Sequence, residues 1–241
     1  MKNTIKTFAL FLTAGAMLAS CDSYLDRQPD EPLTSDNIFK KQKTTLQYLT
    51  NIYSYQPDYE APACVSNSND IPWEACSDET SFAYLDRSYT QINYNSWNPS
   101  LHIYRDDTYN TPYKGIREAN YFMQHVHECP ELTDTDKGYY YNEARFLRAH
   151  FYAMMLPVYG PVFLIGDDPV DFTQSGLDQR ERNTWDECVN YVANELWEAA
   201  KGLPDSWPDI YYGRATKGAA LAARARLLLY SARKLFNGNE L

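Results

Sequence analysis

Tyr140, Ala144, Leu147, Phe151 and Met154 follow one another at steps of four, three, four and three residues. That spacing keeps every one of them on a single face of an α-helix, and on neither face of a strand. A stripe this long has to be covered by another element, so it commits the chain to helix-on-helix packing. The same period recurs. Ile38, Phe39, Leu46, Leu49, Ile52 and Tyr53 predict a helix from about Ser35 to Ser54. Tyr109, Tyr113, Ile116, Ala119, Met123 and Val126 predict another from about Thr108 to Glu128, stopped by Cys129-Pro130. The central stripe belongs to a helix over Asp136 to Met155, with Asp134 or Thr135 as its cap and Pro157 set to end or kink it. Thr184-Trp185-Asp186-Glu187 is a capping-box pattern opening a helix through Trp185, Cys188, Val192, Leu196 and Ala199, closed by Gly202 and Pro204. The last helix, Thr216 to Phe236, carries Gly218, Ala219, Ala220, Ala222, Ala223 and Ala225, a surface that lets a neighbouring helix approach closely.

These elements pair into two helical hairpins, Thr108–Glu128 with Asp136–Met155 and Trp185–Lys201 with Lys217–Phe236, each little longer than the ~34-residue tetratricopeptide unit. The fold class that follows is mainly α, built of tetratricopeptide-like hairpins with degenerate repeat signatures. Two hairpins do not bury all their faces by themselves, which implies further partners in the chain or outside it. Two long irregular segments interrupt the pattern, Tyr55 to Arg105 and Gly160 to Asn183. Segments of that length inside a compact domain are usually functional.

The N-terminus gives the compartment. Lys2 and Lys6 precede an apolar run from Phe8 to Ala19, too short for the about 20 residues that span a bilayer and the right length for a signal-peptide core. The run ends in Leu18-Ala19-Ser20-Cys21, which resembles a bacterial lipobox. That resemblance implies cleavage before Cys21 and a diacylglycerol on its thiol, the lipid being the membrane anchor. Residues 1–20 are then signal peptide, 21–33 a lipidated tether containing Pro29 and Pro32, and 34–241 the folded domain. Asp22 favours inner-membrane retention under the rule of enteric bacteria, but other bacterial groups sort differently, so the target membrane stays open. Loss of residues 1–20 leaves 20 basic against 32 acidic side chains, a formal net charge of −12, which argues against a nucleic-acid partner. An exterior location permits disulfides among Cys64, Cys76, Cys129 and Cys188. A Cys64–Cys76 bridge would staple the long loop, worth about 3 kcal/mol in the chain-entropy model, whereas Cys129 and Cys188 read as buried free thiols.

Enzyme signatures are missing. There is no HExxH, nucleophile elbow or phosphate-cradling glycine loop, and His125 and His127, two apart on a helix, point to different faces and make a poor metal pair. No catalysis, cofactor or metal is expected. Glu143 and Arg148 flank the central stripe and read as partly buried charges paired with neighbouring helices, Arg224 and Arg226 among the candidates. The positive signal is aromatic. Tyr and Trp stack on the apolar C–H faces of sugar rings while Asn, Asp and Arg take hydroxyl hydrogen bonds, and Trp73, Asp78, Arg87, Tyr94, Asn95 and Trp97 supply those types within the first long loop. Tyrosine-rich surfaces also suit protein contacts.

A lipobox cysteine followed by "DSYLDRQPDEPLTSDNIF", then "YKGIREANYFM", "NEARFLRAHFYAMMLPVYGPVFLI" and "GRATKGAALAARARLLLYSA", resembles the SusD/RagB family of surface lipoproteins of Bacteroidota, from Cys21 to the C-terminus. The resemblance implies a SusD-like α-superhelical scaffold at the outer membrane, facing outward. Its loops would bind nutrients, most often oligosaccharides, and it would act as a lid on a SusC-like TonB-dependent transporter without making or breaking bonds. The loop around Trp73 to Trp97 corresponds to where starch-binding relatives place ligand aromatics. Relatives are about twice this length, so the 241 residues are expected to be an N-terminal portion that exposes apolar helix surface and binds sugar weakly or not at all by itself. Two other readings compete: peptide capture, as in the RagB branch, and a helical protein-assembly scaffold with no small ligand.

Overall fold

The computed structural model describes residues 35–56, 77–78, 94–96, 107–167 and 181–236. The chain divides into two compact units, Met1–Asn37 and Ile38–Leu241. Of the first, only residues 35–37 are described; they begin the one-turn helix α1 (Ser35–Ile38).

The second unit is a ladder of helices: α2 (Gln42–Tyr53), α3 (Asp107–His125, drawn out by a 3-10 turn, Val126–Glu128), α4 (Asp134–Tyr159), α5 (Trp185–Gly202) and α6 (Lys217–Ser231). Each of α4 and α5 packs between the helix before it and the helix after it, and α2 lies against α3 and α4. The helices alternate in direction. Asn120 of α3 meets Arg148 of α4, Tyr152 of α4 meets Tyr191 of α5, and Arg224 of α6 bonds the Ala193 carbonyl of α5. No strand occurs among the described residues.

The core lies along α4. Ala144, Leu147 and Phe151 from its stripe are wholly buried against Ile116, Ala119 and Phe122 of α3 and Val192 and Leu196 of α5. Because α4 is covered on two sides, burial spreads beyond one stripe to Phe146, Arg148, Ala149, Tyr152 and Met155, while Met154 stays only partly buried.

Caps fix where the helices begin. Thr184 forms the expected capping box with Glu187. Thr216 accepts the Ala219 N–H at 3.2 Å. At α4 the cap is Thr133, whose hydroxyl accepts the Asp136 N–H at 3.1 Å, and not Asp134 or Thr135, which lie inside the first turn. The first predicted helix is interrupted at Phe39–Lys41 because the hydroxyls of Thr44 and Thr45 take the carbonyls of Ile38 and Lys41, the local competition these side chains offer to a helix ladder. Pro157 is accommodated within the last turn of α4, which ends at Gly160 with φ 67°, a conformation glycine adopts without steric cost. Helix α6 stops at Ser231, five residues short of Phe236. A turn then stacks Phe236 on Trp185, ring centroids 3.9 Å apart. Cys129 and Cys188 are buried free thiols, and Cys188 Sγ donates to the Val162 carbonyl at 3.4 Å.

Candidate ligand-binding surface

Of the six predicted ligand contacts, Asp78, Tyr94 and Asn95 fall among the described residues. Asp78 and Asn95 are exposed, and Tyr94 is 66% exposed on a turn where Asn95 takes a left-handed φ of 53°. Asparagine tolerates that conformation better than most residues. Trp73, Arg87 and Trp97 lie outside the described residues, as do Cys21, Cys64 and Cys76. An aromatic side chain this open, on a turn, is the kind of group that stacks on a sugar ring.

Two buried charge clusters hold the segments that leave the helix ends. In the first, Arg148 is 2% exposed. Its Nη1 donates to Asn120 Oδ1 at 2.6 Å and Asp167 Oδ1 at 2.5 Å, and its Nη2 to Glu195 Oε2 at 2.5 Å. Arg145 Nε and Nη2 donate to the same Glu195 at 3.0 and 2.7 Å. Burial alone would raise the Glu195 carboxyl, but the two guanidiniums outweigh it and hold it below the usual range. The partners of Arg148 are thus Glu195, Asn120 and Asp167, and Glu143, the one of the two charges with which an α6 arginine could pair, takes Arg214 instead. The helix period placed Arg224 and Arg226 on α6, yet α4 meets α5 far more closely there.

The same cluster anchors residues 160–167, an extended segment laid over α3 and α4. Tyr113 Oη accepts the Phe163 N–H at 3.1 Å and donates to the Phe163 carbonyl at 2.8 Å. Tyr152 Oη does likewise at Ile165, at 2.8 and 3.2 Å. A phenol has one proton and spare lone pairs, so each ring edge serves as a substitute sheet partner. Asn120 and Gln124 cap the end by donating to the Gly166 and Asp167 carbonyls, both at 2.9 Å.

In the second cluster, Glu143 is fully buried and takes both nitrogens of Arg214, with Nε at 2.8 Å, together with the Tyr53 hydroxyl. Burial pushes the Glu143 carboxyl above its ordinary value, against the pull of Arg214 and Tyr53. Arg214 also lies over the rings of Trp207 (4.2 Å), Tyr140 (4.8 Å) and Tyr211 (5.1 Å). Trp207 Nε1 donates to the Ala215 carbonyl at 2.7 Å, and the Ala215 N–H donates to Tyr53 Oη at 2.9 Å. The connection between α5 and α6 is therefore pinned, and it displays Ile210 and Tyr212 at 84% and 95% exposure. Sequence reasoning passed over this knuckle. Its signal was present: an isoleucine and two tyrosines between Pro208 and Gly213. His125 and His127 do point apart, one onto Phe39 and Tyr121, the other onto Tyr141.

A family model described as starch-binding and associating with the outer membrane, the SusD-like family, matches residues 23–229. The chain belongs to the SusD-like family. Its helical ladder resembles a solved SusD-like protein from Bacteroides fragilis at 25% identity and a TM-score of 0.66, over 81% of this chain and 36% of that one. Surface glycan-binding protein A from Bacteroides uniformis aligns at 20% identity and 0.64, over 78% and 42%. A laminarin-binding SusD-like protein aligns at 18% and 0.58, over 80% and 41%. This SusD-like chain spans about two fifths or less of the length of these solved relatives. No curated protein matches. Among the described residues no helix is long and apolar enough to cross a membrane.

Proposed function

We propose that this protein is a cell-surface glycan-binding lipoprotein, anchored by lipid on Cys21, that captures oligosaccharide for a SusC-like TonB-dependent transporter and does no chemistry on it. The observation that carries the reading is the match of residues 23–229 to a family described as starch-binding and associating with the outer membrane. Supporting it are the lipobox at Leu18–Cys21 and the exposure of Tyr94, Asn95 and Asp78 in the loop that combines aromatics with amides and carboxylates. The names of two similar structures, a surface glycan-binding protein and a laminarin-binding one, point the same way. In this layout residues 1–20 are signal peptide, 21–33 tether and 34–241 the helical domain. Trp73, Tyr94 and Trp97 stack on pyranose faces while Asp78, Arg87 and Asn95 bond hydroxyls.

A glycan-array screen of the whole protein purified from its host, starch and laminarin included, tests the reading. Binding of one glycan class is expected, with about tenfold weakening on Trp73→Ala or Trp97→Ala, since a stacked aromatic contributes about 1 kcal/mol or more. Binding unchanged by either substitution removes the site, and shortening of the glycan during incubation removes the non-enzymatic role. Radiolabelled palmitate that labels the wild type but not Cys21→Ser is the expected signature of the anchor.

A further inference from the structure

The fold makes use of Trp185 and Trp207 but not of Trp197. Trp185 stacks on Phe236, and Trp207 lies against Tyr140 with its indole N–H on the Ala215 carbonyl. Trp197, on α5, stands 43% exposed, and among the described residues no other aromatic ring packs on it. An indole left in water offers a large flat apolar area to whatever settles on it.

The surroundings of Trp197 are amide and cation. Asn190, Asn194, Trp197 and Lys201 follow at steps of four, three and four, all exposed. They form one face of α5, turned away from the buried stripe of Cys188, Val192, Leu196 and Ala199. At about 1.5 Å per residue that face runs roughly 16 Å, room for a short row of pyranose rings. Lys201 Nζ lies 5.6 Å from the centroid of the Trp197 ring, and Arg224 Cζ of α6 lies 5.3 Å from it. Anything resting on the indole is therefore within reach of two cations, in a chain whose formal net charge is −10. Neither cation is locked in a buried pair. Lys201 meets Glu198 at 2.5 Å between exposed side chains, the kind of surface pair that contributes little and exchanges partners readily. Arg224 donates its Nε to the Ala193 carbonyl at 3.2 Å, and no carboxylate among the described residues pairs with it.

A pyranose lays its apolar C–H face on an indole and keeps its polar groups at the ring edge. A neutral sugar has no use for two cations beside the stacking face. A uronic acid does, because its C5 carboxylate stands at that edge, where a guanidinium fork matches its two oxygens and an ammonium adds a point charge. Asn190 and Asn194 offer amide donors and acceptors to the hydroxyls of neighbouring rings along the helix. We infer that the Asn190–Lys201 face of α5, together with Arg224, is a second glycan contact that holds a uronate-bearing oligosaccharide, Trp197 stacking on one ring and Lys201 and Arg224 binding its carboxylate. The inference goes beyond the loop reading: it shares none of the loop residues, and it names a ligand charge that the loop reading leaves open.

The test uses the whole protein purified from its host, with trigalacturonate and a mannuronate trimer as acidic probes and maltotriose and laminaritriose as neutral ones, read by calorimetry. At least one acidic trimer should bind about tenfold or more tighter than either neutral one, with the margin shrinking at high salt. Trp197→Ala should weaken the acidic trimer about tenfold or more. Lys201→Met with Arg224→Met should remove the preference for acid while leaving the indole in place. Glu198→Gln, which takes away the competing carboxylate at an exposed position, should tighten acidic binding and provides the reading if Trp197→Ala fails to fold. No binding of either acidic trimer, equal affinity for acidic and neutral trimers, or an acid preference indifferent to the Lys201, Arg224 and Glu198 substitutions would each overturn the inference. The loop reading is scored separately by Trp73→Ala and Trp97→Ala: neutral binding that these abolish while uronates fail to bind sinks the α5 contact alone, and uronate binding that they leave unchanged while Trp197→Ala abolishes it upholds the α5 contact without the loop.

Discussion

Replacing Arg214 by Met isolates what the second buried cluster does. Methionine keeps a long apolar side chain over Trp207 and Tyr140 but removes both nitrogens that Glu143 accepts from. A buried ion pair is a weak contributor when intact, yet breaking it by removing one partner strands a charge and typically costs about 3–5 kcal/mol. Glu143 is fully buried, so the upper part of that range applies, and the Tyr53 hydroxyl is the donor left to it. The penalty depends on pH in a definite direction. Burial already raises the Glu143 carboxyl, and loss of the guanidinium raises it further. A group whose pKa is raised on folding withholds stability as pH climbs from its unfolded value through its folded one. The loss should therefore be about 3–5 kcal/mol near pH 7.5 and smaller near pH 5, because the raised carboxyl takes up a proton as pH falls and its stranded charge is relieved. Urea unfolding followed by far-ultraviolet circular dichroism at the two pH values measures it. Glu143→Gln with Arg214→Met, which leaves no charge behind, should be more stable than Arg214→Met alone at the higher pH. A loss below about 1 kcal/mol at pH 7.5, or one that is equal at both pH values, refutes the reasoning.

Two helix glycines should respond oppositely to Ala: at Gly115 the new Cβ would sit 2.5 Å from Phe151 Cε2, itself fully buried, so overpacking of about 1–3 kcal/mol outweighs the gain in helix propensity, while Gly138, with nothing within 4 Å, should gain about 0.5–1 kcal/mol, both read from thermal unfolding. His150 is pushed down to about 4 by burial and the nearby Arg226 charge. Between about pH 6.5 and pH 4 the unfolded chain therefore binds a proton that the folded one refuses, and stability falls by roughly 2–3 kcal/mol; His150→Gln should flatten that part of the profile, and identical slopes would sink the assignment. Tyr152→Phe keeps the ring but strands the Ile165 N–H and carbonyl, so it should cost about 1–3 kcal/mol and speed amide exchange at Ile165 while sparing Phe163, with Tyr113→Phe giving the converse.

The helices were legible because they are long and periodic. The stripe through Ala144, Leu147 and Phe151 is buried as its spacing requires, and the Thr184–Glu187 box forms as written. What went wrong did so at ends, where single side chains decide. Thr44 and Thr45 break the first helix by taking backbone carbonyls, and Thr133 caps α4 one residue before Asp134 and two before Thr135. Periodicity carries no information on which threonine hydroxyl reaches which backbone group. Partners of the buried charges were misjudged for a related reason. Glu143 and Arg148 were recognisable as charges in need of company, but Arg214 and Glu195 are 71 and 47 residues away in sequence, and only the order of packing selects them.

The ligand surface resisted sequence reasoning on other grounds. Residue types chosen for sugar recognition, at Tyr94 and Asn95, are also the types that make turns, so composition could name a loop without fixing its geometry. The knuckle at Ile210–Tyr212 shows the converse. It has no periodicity, yet the Glu143–Arg214 pair, the Trp207 indole and the Tyr53 hydroxyl converge on the backbone that carries it. A buried ion pair adds little to stability over an apolar filling of the same volume. Its use here is better accounted for by position: it sets where the α5–α6 connection lies, as Arg148 sets where Asp167 lies. In this SusD-like chain the apolar stripes build the ladder, and the charges inside it decide where the loops leave.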